Sequence, residues 1–168
     1  NYTIADTAQG TGTITKRALT LGAVTSAQTK TYDGTTLADA SKFRAALTNA
    51  IAGDSVAATA TGAAYNSKNV AAASTIGYTG VALSGADAGN YSLAATTAQG
   101  AGTITARELT LGTVASQSKT YDGTRAADAA QFRAALSGIV AGDSVTAAAT
   151  GATYNNKNVA GASTVGYT

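Results

Sequence analysis

The chain has 168 residues, with 11 basic and 9 acidic side chains and a net charge of +2; this near-balance, with no run of like charge, makes nucleic acid and acidic membrane surfaces poor partners. It contains no His, Cys, Met, Trp or Pro, which excludes a Ser-His-Asp or Cys-His nucleophile, structural zinc and iron–sulfur sites, and any disulfide. No stretch approaches the ~18 apolar residues that would mark a membrane-spanning helix.

In chain order, Gly12-Thr13-Ile14-Thr15 is a β-branched segment that predicts a strand. Leu19 and Leu21 alternate with Thr20 and Gly22, the pattern of a half-buried strand. Lys30-Thr31-Tyr32 predicts another short strand, ended by Asp33-Gly34, a dipeptide that tolerates the positive φ of tight turns. Over Asp39–Ile51 the spacing changes: Phe43, Leu47 and Ile51 fall four apart and predict one face of a short helix, with Asp39 as N-cap and Gly53 as stop. After Gly53-Asp54-Ser55-Val56 the chain returns to strands. Ile76 and Tyr78 share one face, whereas Val81 and Leu83 have the opposite parity, so a bulge or turn is expected near Thr79-Gly80. Ser84–Gly89 is a loop of turn formers, and Asn90-Tyr91-Ser92-Leu93 opens a final strand pair that includes Gly102-Thr103-Ile104-Thr105.

The same elements then recur. Lys30-Thr31-Tyr32-Asp33-Gly34-Thr35 returns as Lys119-Thr120-Tyr121-Asp122-Gly123-Thr124, a shift of 121 − 32 = 89 residues, and residues 30–79 match 119–168 at 36 of 50 positions. A period of this length is one small domain rather than one coil of a solenoid. The expected organisation is therefore the tail of a preceding repeat at 1–17, a complete repeat module at 18–107 and an incomplete one at 108–168. The joins at Thr15–Leu19 and Thr105–Leu109 contain no Gly/Ser-rich or Pro-rich spacer, which favours little hinge motion and an elongated rod of tandem modules.

Several segments together carry a family likeness: Lys30–Thr36, Ala52-Gly53-Asp54-Ser55-Val56, Lys68-Asn69-Val70, Leu83–Leu93 and Gly102–Thr105. In this order and spacing they resemble the YDG-type repeat, related to the MBG repeats, of large bacterial surface proteins such as filamentous-haemagglutinin-like adhesins exported by two-partner secretion. The likeness runs the length of the chain. It departs at Ala72, where such repeats often carry a Gly and where the second copy has Gly161. The resemblance implies a secreted or cell-surface location and a role in attachment or biofilm.

Individual residues read first as structure. Tyr32-Asp33-Gly34 is explained by turn chemistry. Asp33, Asp54, Asp87 and Asn90 offer oxygens to a calcium ion but lack the dense alternation of a calcium loop. Lys30 or Lys68, set beside an Asn and a buried acid, would suit an intramolecular isopeptide bond. The eight tyrosines pair as Tyr2/Tyr91, Tyr32/Tyr121, Tyr65/Tyr154 and Tyr78/Tyr167, and are expected to fill cores that have few other large side chains. No residue is assigned a catalytic, cofactor-binding or metal-ligating role, and no enzyme is expected.

The fold expected is mainly β with one short helix per repeat, an α+β module that is either β-grasp-like or a small Ig-like sandwich. The function expected is a stalk or spacer of a bacterial adhesin, with neighbouring repeats as its partners; the alternative is a weak module for host or matrix glycan or protein, acting through avidity. Head-to-tail self-association through residues 1–17, by strand addition to the incomplete module, is a further expectation.

Overall fold

The computed structural model describes every residue, Asn1–Thr168. The chain divides into two compact units, Asn1–Thr105 and Ala106–Thr168. Residues 1–17 group with the first unit, although residues 1–16 form no strand or helix.

The first unit holds nine strands: β1 Arg17–Val24, β2 Gln28–Thr31, β3 Ala45–Thr48, β4 Ala57–Thr59, β5 Gly62–Tyr65, β6 Thr75–Thr79, β7 Ala82–Ser84, β8 Tyr91–Leu93 and β9 Thr97–Thr105. They form a four-stranded sheet in the order β2-β9-β6-β5, a three-stranded sheet β3-β1-β8, and the pair β4-β7. Two pairings are parallel, β1 with β8 and β2 with β9, and both join the opening of the unit to its close. The other pairings are antiparallel.

The core is small. Phe43, Tyr65, Ala73, Ile76, Tyr78, Val81 and Ile104 are buried together, and Leu21, Val24 and Ala45 of the three-stranded sheet pack against them. Tyr65, Ile76, Tyr78 and Ile104 come from the four-stranded sheet. One cluster of side chains therefore belongs to two facing sheets, as in a small sandwich. The Phe43 and Tyr78 rings lie 4.9 Å apart and tilted, a favourable aromatic geometry.

The second unit holds β10 Thr110–Val114, β11 Ala134–Ser137, β12 Ala152–Tyr154 and β13 Val165–Tyr167, in the antiparallel pairs β10-β11 and β12-β13. Each of these repeats a pairing of the first unit: β1 with β3, and β5 with β6. Phe132 and Tyr167 repeat the aromatic contact at 5.1 Å.

The predicted helix over Asp39–Ile51 does not form, and with it goes the helix-bearing β-grasp. A single 3-10 turn, Ala40–Lys42, is capped by Asp39, whose side chain accepts a hydrogen bond from the Ser41 N–H. Phe43 then takes an extended ψ of 126°, and β3 follows. The reason is arithmetic. A spacing of four is a multiple of the strand period as well as close to the helical one, so Phe43, Ala45 and Leu47 also line one face of a strand. Pairing with β1 settles the matter: Leu21 sits opposite Leu47 and Val24 opposite Ala45. Asn49, at φ 71°, ends the strand, and Ile51 lies exposed rather than in a core. The second copy behaves alike, with Asp128 capping the turn Ala129–Gln131 and Gly138 at φ 93° after β11.

The segment Gly12–Thr15 is not a strand either, while its counterpart Gly102–Thr105 lies in β9. The difference is partners: β9 is bonded on both sides, by β2 and β6, and the earlier segment meets no strand. The turn expected near Thr79-Gly80 is present. Gly80 has φ 62°, and the strands on either side of it, β6 and β7, belong to different sheets.

Candidate functional site

The sequence points to the turn that follows β2, and the structure shows what holds it. Gly34 adopts φ 80°, which an L side chain disfavours. One Asp33 oxygen accepts hydrogen bonds from the Thr35 N–H and the Thr35 hydroxyl, both at 2.9 Å. The Lys30 ammonium reaches over from near the end of β2. It donates to Asp33 Oδ1 at 2.8 Å and to the carbonyl and hydroxyl oxygens of Thr35, each at 2.9 Å. It also stands 5.4 Å from the centroid of the Tyr65 ring, within range of a cation–π interaction. A lysine, a carboxylate, a hydroxyl and an aromatic face thus close the six-residue segment Lys30–Thr35 on itself. The Lys30 hydrogen bond, aided by the Thr35 N–H, lowers the Asp33 pKa to about 2.

The second copy reproduces the arrangement. Lys119 donates to Asp122 Oδ1 at 2.9 Å, to the Thr124 carbonyl at 3.1 Å and to the Ala126 carbonyl at 2.8 Å, and it stands 5.5 Å from the Tyr154 ring centroid. Asp122 is likewise held at a pKa of about 2, first by the Lys119 hydrogen bond.

A second polar device escaped the sequence reading. Gln28 is the one buried polar side chain in the first unit. Its amide donates to the Asp39 carbonyl and to the Tyr78 hydroxyl, both at 2.9 Å, and its oxygen accepts from the Asp39 N–H at 3.1 Å. It ties β2, the capped turn and β6 together. Gln117 does the same for Asp128 and Tyr167 in the second unit. The available signal was the retention of one Gln at matching places in both copies, between residues that vary.

The four oxygen-bearing residues weighed for calcium are dispersed into separate structural roles. Asp33 closes its turn; Asp54 accepts a hydrogen bond from the Tyr91 hydroxyl at 2.5 Å; Asp87 accepts from the Ser55 N–H at 2.8 Å. The Asn90 N–H donates to the Asp87 carbonyl. No three acidic side chains converge. The Asp54 hydrogen bond and burial raise the Tyr91 pKa. Lys30 is engaged as an ion pair, and Lys68 is exposed, so neither lysine sits in the buried Lys-Asn-acid cluster that an isopeptide bond needs.

The tyrosines divide. Tyr65, Tyr78 and Tyr91 are buried, and Tyr32, Tyr154 and Tyr167 are half-buried. Tyr2 and Tyr121 are exposed, contrary to the expectation that all eight fill cores.

No helix is long and apolar enough to cross a membrane. Comparison with curated proteins and with solved structures returns no match. The family model of the YDG domain matches residues 15–98 and again 105–168. Two tandem matches that together span most of the sequence, each containing the same lysine-locked Tyr-Asp-Gly turn, place this chain in the YDG domain family.

Proposed function

We propose that these repeats are structural, spacer or stalk modules of a secreted or surface-anchored bacterial adhesin that support attachment or biofilm. The observation that carries the reading is the internal use of the signature turn. In both copies the lysine, aspartate and threonine that could have contacted a ligand are bonded to one another. Asp39 and Asp128 serve as caps, and Asp54 and Asp87 bond to tyrosine and backbone groups, so the reading assigns no catalysis. Similar copies joined by the four residues 106–109, between β9 and β10, suit a chain whose output is spacing. The surface location rests on the likeness to adhesin repeats.

Small-angle scattering on arrays of increasing repeat number tests the proposal. A maximum dimension that grows in proportion to repeat number is the expected result. A dimension that grows as the cube root, as in a compacted globule, would overturn it. A glycan array probed with one-repeat and four-repeat proteins tests the binding alternative: avid binding by the longer protein alone would replace the spacer reading with that one.

A further inference from the structure

In both units an arginine at the entry of the module bonds to a backbone carbonyl far along the chain. Arg17, the first residue of β1, donates from Nε to the Asn49 carbonyl at 2.6 Å. Arg107, in the linker before β10, donates from Nε to the Gly138 carbonyl, also at 2.6 Å. Strand pairing does not reach these residues on that side. β1 meets β3 first at Thr20 opposite Thr48, and β10 meets β11 first at Thr110 opposite Ser137. Each arginine lies just before its pairing begins, and its guanidinium carries the tie back to the entry of the module.

The two carbonyls are aimed by an unusual backbone. Asn49 has φ 71° and Gly138 φ 93°, and Asn49 is the one residue other than glycine with a positive φ. That region is disfavoured for a residue with a Cβ, and Asn is among the few that tolerate it. The first copy therefore makes the left-handed turn without the glycine that would ease it. The chain between the partners also differs, spanning 32 positions from Arg17 to Asn49 and 31 from Arg107 to Gly138. A different turn residue and a different intervening length arrive at the same donor, the same acceptor and the same distance. The contact is thus more than a by-product of repeated sequence.

A second contact lies beside the Arg107 bond. A Cβ on Gly138 would meet the Glu108 carbonyl oxygen at 3.3 Å and the Leu109 side chain at 3.5 Å, so the end of β11 lies directly against the linker. The residue that closes β9 is tied down within its own unit. The Thr105 carbonyl accepts from the Tyr32 N–H at 2.9 Å, and the Thr105 hydroxyl donates to the Lys30 carbonyl at 3.3 Å. Between Thr105, held by the first unit, and Arg107, held by the second, stands Ala106 alone.

We infer that Arg107 is a positioning residue that makes the linker part of the module it enters, and that bending at the join is confined to Ala106. Each linker residue carries two soft backbone dihedrals. Holding Arg107, Glu108 and Leu109 against the end of β11 removes theirs and leaves the pair at Ala106. For its purpose the inference rests on the spacer reading, since a stalk keeps its reach when its joins resist folding back. Its geometry stands on the arginine and the left-handed carbonyl.

Amide order parameters measured by NMR relaxation on the full 168-residue chain are the test. In the parent, residues 107–109 should be as ordered as β10, at about 0.85, and Arg107→Met should drop them below about 0.6. The chemical shifts of β10 and β11 should stay in place, showing that the unit still folds. Arg107→Gln sets an amide nitrogen on the same Cδ and should keep the parent's order. That rescue separates a directed hydrogen bond from the loss of a charge. A parent already flexible at 107–109, an Arg107→Met chain with unchanged order, or an Arg107→Gln chain as loose as Arg107→Met would overturn the inference. Linker order is read on this chain and growth in length on longer arrays. Arrays that fail to lengthen would therefore strike the spacer reading and leave the latch standing, and a loose linker would do the reverse.

Discussion

At the scale of single residues, the signature turn makes stability depend on acid. Asp33 and Asp122 have folded pKa values lowered from 3.8 to about 2. A carboxylate with a depressed folded pKa contributes stability that is complete above its unfolded pKa and is lost as pH falls through its folded one. The expected outcome is a melting temperature that drops between pH 4 and pH 2. In the Asp33→Ala/Asp122→Ala double variant, followed by circular dichroism, the drop should be smaller. Gln28 is the second residue-scale case. Gln28→Leu strands the Tyr78 hydroxyl and the Asp39 N–H in the interior, and should cost about 1–3 kcal/mol in urea denaturation, the usual penalty for unpaired buried polar groups. The Asp-Gly turns were legible in sequence because their chemistry is local. The Gln28 clamp was not, because its partners lie 11 and 50 residues away and nothing in a Gln announces burial.

At the scale of elements, register is enforced by small residues. Gly102→Val would drive a side chain into Ile76 and Tyr65 and should destabilise the first unit by about 1–3 kcal/mol, as overpacked cores do. Chemical denaturation of this variant beside Gly12→Val checks the point, since a Cβ at Gly12 would meet nothing within 4 Å and the second variant should unfold like the parent. Strand identity was readable wherever alternation was explicit, as at Leu19 and Leu21 or Ile76 and Tyr78, and those residues do fall in β1 and β6. It was misread over Asp39–Ile51 because a run of alanines carries no signature of its own, and the large residues were spaced by a number common to both periods. The deciding information was tertiary, in the partner strand β1. The same logic explains the shortened β10. Its counterpart β1 extends back to Arg17 through parallel pairing with β8, and β10 starts only at Thr110.

At the scale of the molecule, the two units share a plan but differ in how far their large side chains are covered. Ile76 and Tyr78 have no exposed surface, whereas their counterparts Val165 and Tyr167 are half-buried. Fewer covered apolar groups mean lower stability. Urea denaturation followed by hydrogen exchange should therefore show two transitions. The amides of β10–β13 should open first and those of β6 and β9 last. The duplication was fully legible in sequence, but how far each core is covered was not, because that depends on which strands find neighbours. The parallel pairs have one more consequence. In the first unit the strands at its start, β1 and β2, lie alongside those at its end, β8 and β9, and run in the same direction. A pull applied at Arg17 and Thr105 would load those hydrogen bonds crosswise and all at once, instead of opening them one after another like a zip. Forced extension is governed by the barrier to unfolding, and a clamp sheared along its length presents a high one. The repeat has the geometry of a mechanical latch.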